Sequence, residues 1–162
     1  LFPLVLPDSK TGDRVGQSVA LSNNGKIIAV GAPGADGGLG RVTVIMNLDT
    51  AKGVYDYVTL ENIPECSNFG ISVDISEDGK TIAAGALGNP HNGVIQVYRS
   101  ESGRWDDVKV INTLNGRLDV ASEKECMLGF SLDLTDDGKL LLAGAPNFDN
   151  GTGTFSWYEV RK

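Results

Sequence analysis

The sequence predicts an all-β chain built from three copies of one four-stranded unit, and three observations predict it. Glycine is abundant, at 21 of 162 residues, about twice ordinary usage, and no long stretch shows a helical face; many short strands joined by tight turns have this composition. Residues 16–33, 70–87 and 129–146 align without a gap, their first glycines 54 and then 59 residues apart. Within each copy apolar and polar residues alternate, the period of a β-strand.

The elements follow in chain order. In the first strand of each copy, Val19/Val73/Leu132 and Leu21/Ile75/Leu134 share one face, and Ser18/Ser72/Ser131 and Ser22/Ser76/Thr135 the other. Asn24-Gly25, Asp78-Gly79 and Asp137-Gly138 come next, dipeptides that favour the positive φ angles of a tight hairpin. A second strand, Lys26 to Val30 and its equivalents, is almost continuously apolar, so burial on both faces is expected. It ends in Gly-Ala-Pro or Gly-Ala-Leu, where a missing side chain lets another backbone approach. Glycine-rich loops lead to third strands after Gly40, Gly93 and Gly153, and fourth strands are expected after Gly53 and Gly103, with Tyr55 and Trp105 at matching places.

Four antiparallel strands at a period of 50 to 60 residues describe a propeller blade that stacks on its neighbours. The expected organisation is one propeller segment over 1–162: a leading strand at 1–10, then blades at about 14–62, 68–113 and 127–162. Three blades fall below the usual four to eight. The sequence reading is therefore three blades of a larger closed propeller, completed by a second copy or by further chain of the same parent. The columns Ile28/Ile82/Leu141 and Val19/Val73/Leu132 are the expected stacking faces. The first residue is Leu1, read as a processed product or a piece of something longer, with any targeting segment already gone.

Phe69-Gly70 before one strand and Gly31-Ala32-Pro33 after another resemble the FG-GAP repeats of the integrin α-subunit head and related extracellular β-propellers. Val15-Gly16 and Leu128-Gly129 stand in place of Phe-Gly in the other copies. The resemblance implies a module that binds proteins or glycans through its loops and carries no chemistry. It also implies calcium between the first two strands, and here the sequence departs from the family. That loop has shrunk to Ser22–Gly25, Ser76–Gly79 and Thr135–Gly138, and a tight turn with two or fewer carboxylates is too small to supply six to eight oxygens. No metal and no cofactor are expected.

Composition narrows the partners. The formal net charge is −7, with no basic run, so nucleic acid is a poor partner. No apolar run approaches the roughly 18 residues that span a bilayer. A glycosidase would need paired carboxylates, and Asp74 and Asp133 read as ordinary strand positions facing solvent, so the chain is expected not to be an enzyme. The expected function is protein interaction or adhesion through the loops that hold Gly34, Ala35 and Asp36, Asn89 and His91, and Asn147, Phe148 and Asp149, or a structural part in an extracellular assembly. A lectin-like reading, with Trp105, Tyr55 or Trp157 stacking on sugars, is the alternative, and a glycoside-processing enzyme a distant third. Asn150-Gly151-Thr152 is a glycosylation sequon and favours an extracellular or cell-surface location. Cys66 and Cys126 are read as free or separately paired rather than bridged to each other.

Overall fold

A computed structural model of the chain describes residues 3–88, 92–116 and 126–161. Its strands form three antiparallel meanders. The first sheet holds β1 (Ser18–Leu21), β2 (Ile27–Ala32), β3 (Arg41–Asp49) and β4 (Val54–Leu60). The second holds β5 (Ser67–Ile75), β6 (Thr81–Leu87), β7 (Val94–Arg99) and β8 (Lys109–Asn115). The third has three strands, β9 (Ser131–Leu134), β10 (Leu140–Ala145) and β11 (Thr154–Glu159). No helix of the described residues is long and apolar enough to cross a membrane.

The turn residues act as their chemistry dictates. Gly25, Gly79 and Gly138 take φ of 69°, 71° and 65°, while the Asn or Asp before each bonds within its own turn. The Ser76 hydroxyl and the Lys80 N–H both donate to Asp78 Oδ1, at 2.7 and 2.9 Å, and Asn24 and Asp137 are bonded alike. The left-handed angle thus falls on the glycine alone.

The sheets pack face to face in series. One core cluster joins the first and second sheets through Ile27, Ala29, Val42 and Val44 on one side and Phe69, Val73, Ile75 and Ile82 on the other. The Phe69 ring sits 6.2 Å from that of Tyr98. A second cluster joins Ala83, Ile95 and Val97 to Leu134, Leu141 and Ala143 of the third sheet. Backbone crosses each junction too: the Phe69 N–H donates to Leu39 O at 2.9 Å, and the Leu128 N–H to Asn92 O at 3.1 Å.

A closed propeller is not what the strands build. Among the described residues the three sheets remain separate, and no strand of the first pairs with one of the third. Closure would bring the outer faces of the first and third sheets together; instead both face solvent, with Val19, Leu21, Phe155 and Trp157 exposed. Among the described residues the third sheet also lacks a fourth strand. Residues 3–6 form no strand; Leu6 lies on the first sheet against Val30 and Ile45, and the Tyr55 hydroxyl donates to Val5 O at 3.1 Å.

The expected stacking columns are buried only where a preceding sheet covers them. Val73, Ile82 and Leu141 are buried, whereas Val19 has no sheet in front of it and is exposed. The same rule corrects the second strands: β6 is buried throughout, but β10 alternates because its outer side is uncovered.

Candidate functional site

The loops between the second and third strands of their sheets share one backbone frame. In Pro33–Gly40, Gly34 N–H donates to Asp13 O at 3.0 Å and Gly40 N–H to Ala35 O at 2.9 Å. In Pro146–Gly153 the equivalent bonds run from Asn147 N–H to Cys126 O at 3.3 Å and from Gly153 N–H to Phe148 O at 3.0 Å. Each loop holds two consecutive left-handed residues, Asp36-Gly37 and Asp149-Asn150. Asp and Asn are the non-glycine residues that tolerate this conformation best, which is why the two loops superpose in kind while differing in sequence. Ala35 is buried and Phe148 half-buried at the same place, each pinning its loop to the sheet below, and Asp36, Asp149 and Asn150 stand out in solvent. Asn89 and His91, expected in the corresponding loop of the second repeat, lie outside the described residues.

One loop is fixed electrostatically. Arg41, at the start of β3, donates to Asp36 through Nη2 at 2.7 Å and through Nε at 3.3 Å. The hydrogen bond to Asp36 raises the Arg41 guanidinium above its ordinary value against the cost of its burial, and the charges of Asp36, Asp13 and Asp8 act in the same direction. Two adjoining cavities of about 270 and 350 Å³ open around this pair and share Asp8, Asp36 and Arg41. The smaller is lined by Lys10 and Asp13, the larger by Thr43, Tyr57 and Thr59. Among the described residues Asp149 has no such partner, and Thr154 occupies the place of Arg41. The sequence reading singles out Asp36 but not Arg41; their spacing of five residues on either side of a glycine turn is the signal from which the pair could be read, whereas the contributions of Asp8 and Asp13 come only with the fold.

The other residues weighed for chemistry have structural roles. Trp105 is buried, and its indole N–H donates to Gly79 O at 3.0 Å; it sits in the bend before β8 and not on an outer strand. Asp137 is held down at about 2, chiefly by the hydrogen bond from Lys139. Among the described residues no group of three His, Cys, Asp or Glu side chains is placed to hold a metal ion. Cys66 and Cys126 are buried and free, and burial, then Glu65, pushes the Cys66 thiol up.

Asp74 and Asp133 occupy one position of the repeat and differ in use. Asp74 spans the second junction: Oδ2 accepts from Leu134 N–H at 2.5 Å and Oδ1 from Ile75 N–H at 2.8 Å, while Asp133 lies on the uncovered outer face. Burial raises the Asp74 carboxyl most, its two N–H donors lower it, and Asp133 raises it further. A carboxyl raised in the fold stabilises below its unfolded pKa, and that stability is lost as pH rises through the folded pKa. Asp74→Asn removes the charge but keeps only one of the two acceptor oxygens, so it is expected to lie between wild type and Asp74→Ala, and to compare better with wild type at neutral pH than in acid. Asp74→Ala, which leaves two N–H groups unpaired, is expected to cost about 1–3 kcal/mol. Chemical denaturation across the acid range checks both; an Asn variant as unstable as the Ala variant would contradict the assignment.

Comparison with known proteins adds the following. No curated protein matches the sequence. The crystal structure of Sqt1 from Saccharomyces cerevisiae is similar at a TM-score of 0.60 and 11% identity, over 94% of this chain and 34% of that one. The crystal structure of a eukaryotic initiation factor is similar at a TM-score of 0.60 and 12% identity, over 98% of this chain and 32% of that one. The chain thus spans about a third of the length of these structures, and likeness at such identity shows the fold alone. The sequence match is narrower and more specific: residues 3–44, from the leading segment through β1, β2 and the Asp36–Arg41 loop into β3, match the FG-GAP repeat, without singling out the integrin type.

Proposed function

We propose that this chain is a non-catalytic interaction module that engages a protein partner through its Pro33–Gly40 and Pro146–Gly153 loops. The observation that supports it is the shared frame of the two loops, one backbone fold presenting Asp36 beside Arg41 in one case and Asp149 and Asn150 in the other. Both loops join the second and third strands of their sheets, so both leave the stack on the same side, and binding surfaces commonly arise on loops set by a rigid scaffold. An extracellular, adhesive setting belongs to this reading, with Asn150 exposed on the second loop and open to glycosylation.

A glycan is the second reading, and the larger cavity favours it: Tyr57, exposed beside Thr43 and Thr59, offers a ring face and hydroxyls to a sugar. Trp105, buried, offers none. The test compares wild type with an Asp36→Ala/Asp149→Ala variant and with a control, Lys109→Ala on β8. A partner retained by wild type and the control and lost by the loop variant is expected. Retention by all three would refute the loop assignment. Binding on a glycan array that falls with Tyr57→Ala would decide for the sugar, and turnover of a glycoside panel for an enzyme.

A further inference from the structure

We propose that copies of this chain associate head to tail, the outer face of the third sheet in one copy packing on the outer face of the first sheet in the next. The two junctions inside the chain show the contact. At the first, the Gly70 carbonyl lies so close over Gly31 that a Cβ there would stand 2.0 Å from its oxygen, and that oxygen accepts the Ser18 hydroxyl at 2.9 Å. At the second, the Gly129 carbonyl enters between Gly85 and Ser72 in the same way, 2.2 Å from a Gly85 Cβ and 2.5 Å from the Ser72 hydroxyl. Each junction joins a socket, glycine plus serine hydroxyl, to a plug, a glycine carbonyl of the following sheet.

The chain carries one more of each. Gly144 and Ser131 form a third socket on the last sheet, and among the described residues a Cβ on Gly144 would meet only Ser131. Gly16, in the register of Gly70 and Gly129, is a third plug, and among the described residues a Cβ on it would meet nothing within 4 Å.

The side chains around these positions repeat the pattern. Val42, Val44, Ile95 and Val97 are 0% exposed at the internal junctions, whereas their counterparts Phe155 and Trp157 are 70% and 64% exposed. Val73 and Ile75 are 8% and 7% exposed, against 65% and 59% for Val19 and Leu21. Exposed apolar patches of this kind mark contact surfaces, and the internal junctions state what covers each: the other. Leu6 covers Val30 and Ile45 and leaves Val19 and Leu21 open. Because plug and socket are different surfaces, neither face matches a second copy of itself. The contact is heterologous, so each copy offers its two faces to different surfaces of its neighbours. It involves sheet faces and is independent of the loop reading above.

Light scattering on the full chain tests this with two variants, Leu21→Glu on the first face and Trp157→Glu on the last. Wild type is expected to gain mass with concentration, and each variant alone to stay at the mass of one chain. An equimolar mixture of the two is expected to form a species of twice that mass, because each keeps the face the other has lost. A wild-type chain that stays monomeric, a variant that associates on its own, or a mixture that does not pair overturns the proposal.

Discussion

Gly85→Ala is expected to cost about 3 kcal/mol, at the upper end of what overpacking a tight interior does, while Gly144→Ala, the same letter in the next repeat, is expected to stay within about 1 kcal/mol of wild type. None of Gly31, Gly85 and Gly144 has a positive φ, so the backbone itself accepts alanine at each. The difference lies across the junction. A Cβ on Gly85 would stand 2.2 Å from Gly129 O and 2.5 Å from Ser72 Oγ. A backbone oxygen is not free to swing away, so the second and third sheets must part, and with them the Ser72–Gly129 bond and the packing of Ile95 on Leu128. On Gly144 the only close atom is Ser131 Oγ, at 2.3 Å, the end of a side chain that rotates. Losing glycine also lowers the entropy of the unfolded chain, which offsets part of the strain. Gly31→Ala, against Gly70 O at 2.0 Å, should behave like Gly85→Ala. Urea unfolding at a dilution where chains are separate measures all three, and equal costs at Gly85 and Gly144 would show that the junction is not what the glycine serves.

That pair of glycines also shows what the sequence could and could not disclose. The repeat register placed the three hairpins, the two glycine-rich loops and the apolar columns, because turn chemistry and strand alternation are local. It could not say which side of each sheet has a neighbour. Val19 and Val73 occupy the same position on the same kind of strand; one is exposed and the other buried because only the second has a sheet in front of it. Asp74 and Asp133 are the same letter, and only Asp74 finds an N–H across a junction. Ring closure failed as an expectation for the same reason: a period of four strands dictates how one sheet meets the next and is silent on whether the last meets the first. At the site, Asp36 was legible as a loop residue, but its fixation needed Arg41 from β3 and the charges of Asp8 and Asp13 from a segment that forms no strand.

Trp105→Ala is the substitution expected to cost most among the aromatics, about 3–5 kcal/mol by the usual range for a fully buried ring. Trp105 is 0% exposed and belongs to the cluster between the first and second sheets. Three bonds centre on its bend: its indole N–H reaches Gly79 O at 3.0 Å, its backbone N–H reaches Ser100 Oγ at 3.1 Å, and Ser100 N–H reaches Lys80 O at 2.9 Å. Truncation therefore opens a cavity and leaves the Gly79 carbonyl without its donor, loosening the β5–β6 turn and the approach to β8 together. Trp105→Phe separates the two effects, keeping much of the volume and losing the hydrogen bond, and should cost about 1–2 kcal/mol. The matching aromatic Tyr55 is a control. It is half-buried on the outer face of the first sheet and bonds only to Val5 O through its hydroxyl, so Tyr55→Phe should change stability by less than about 1 kcal/mol. The chain has two tryptophans, and in a Trp157→Phe background Trp105 alone reports unfolding by fluorescence. A blue-shifted native emission that moves to the red with the main transition is expected there; a native spectrum already like that of exposed indole would place Trp105 at the surface and sink the assignment.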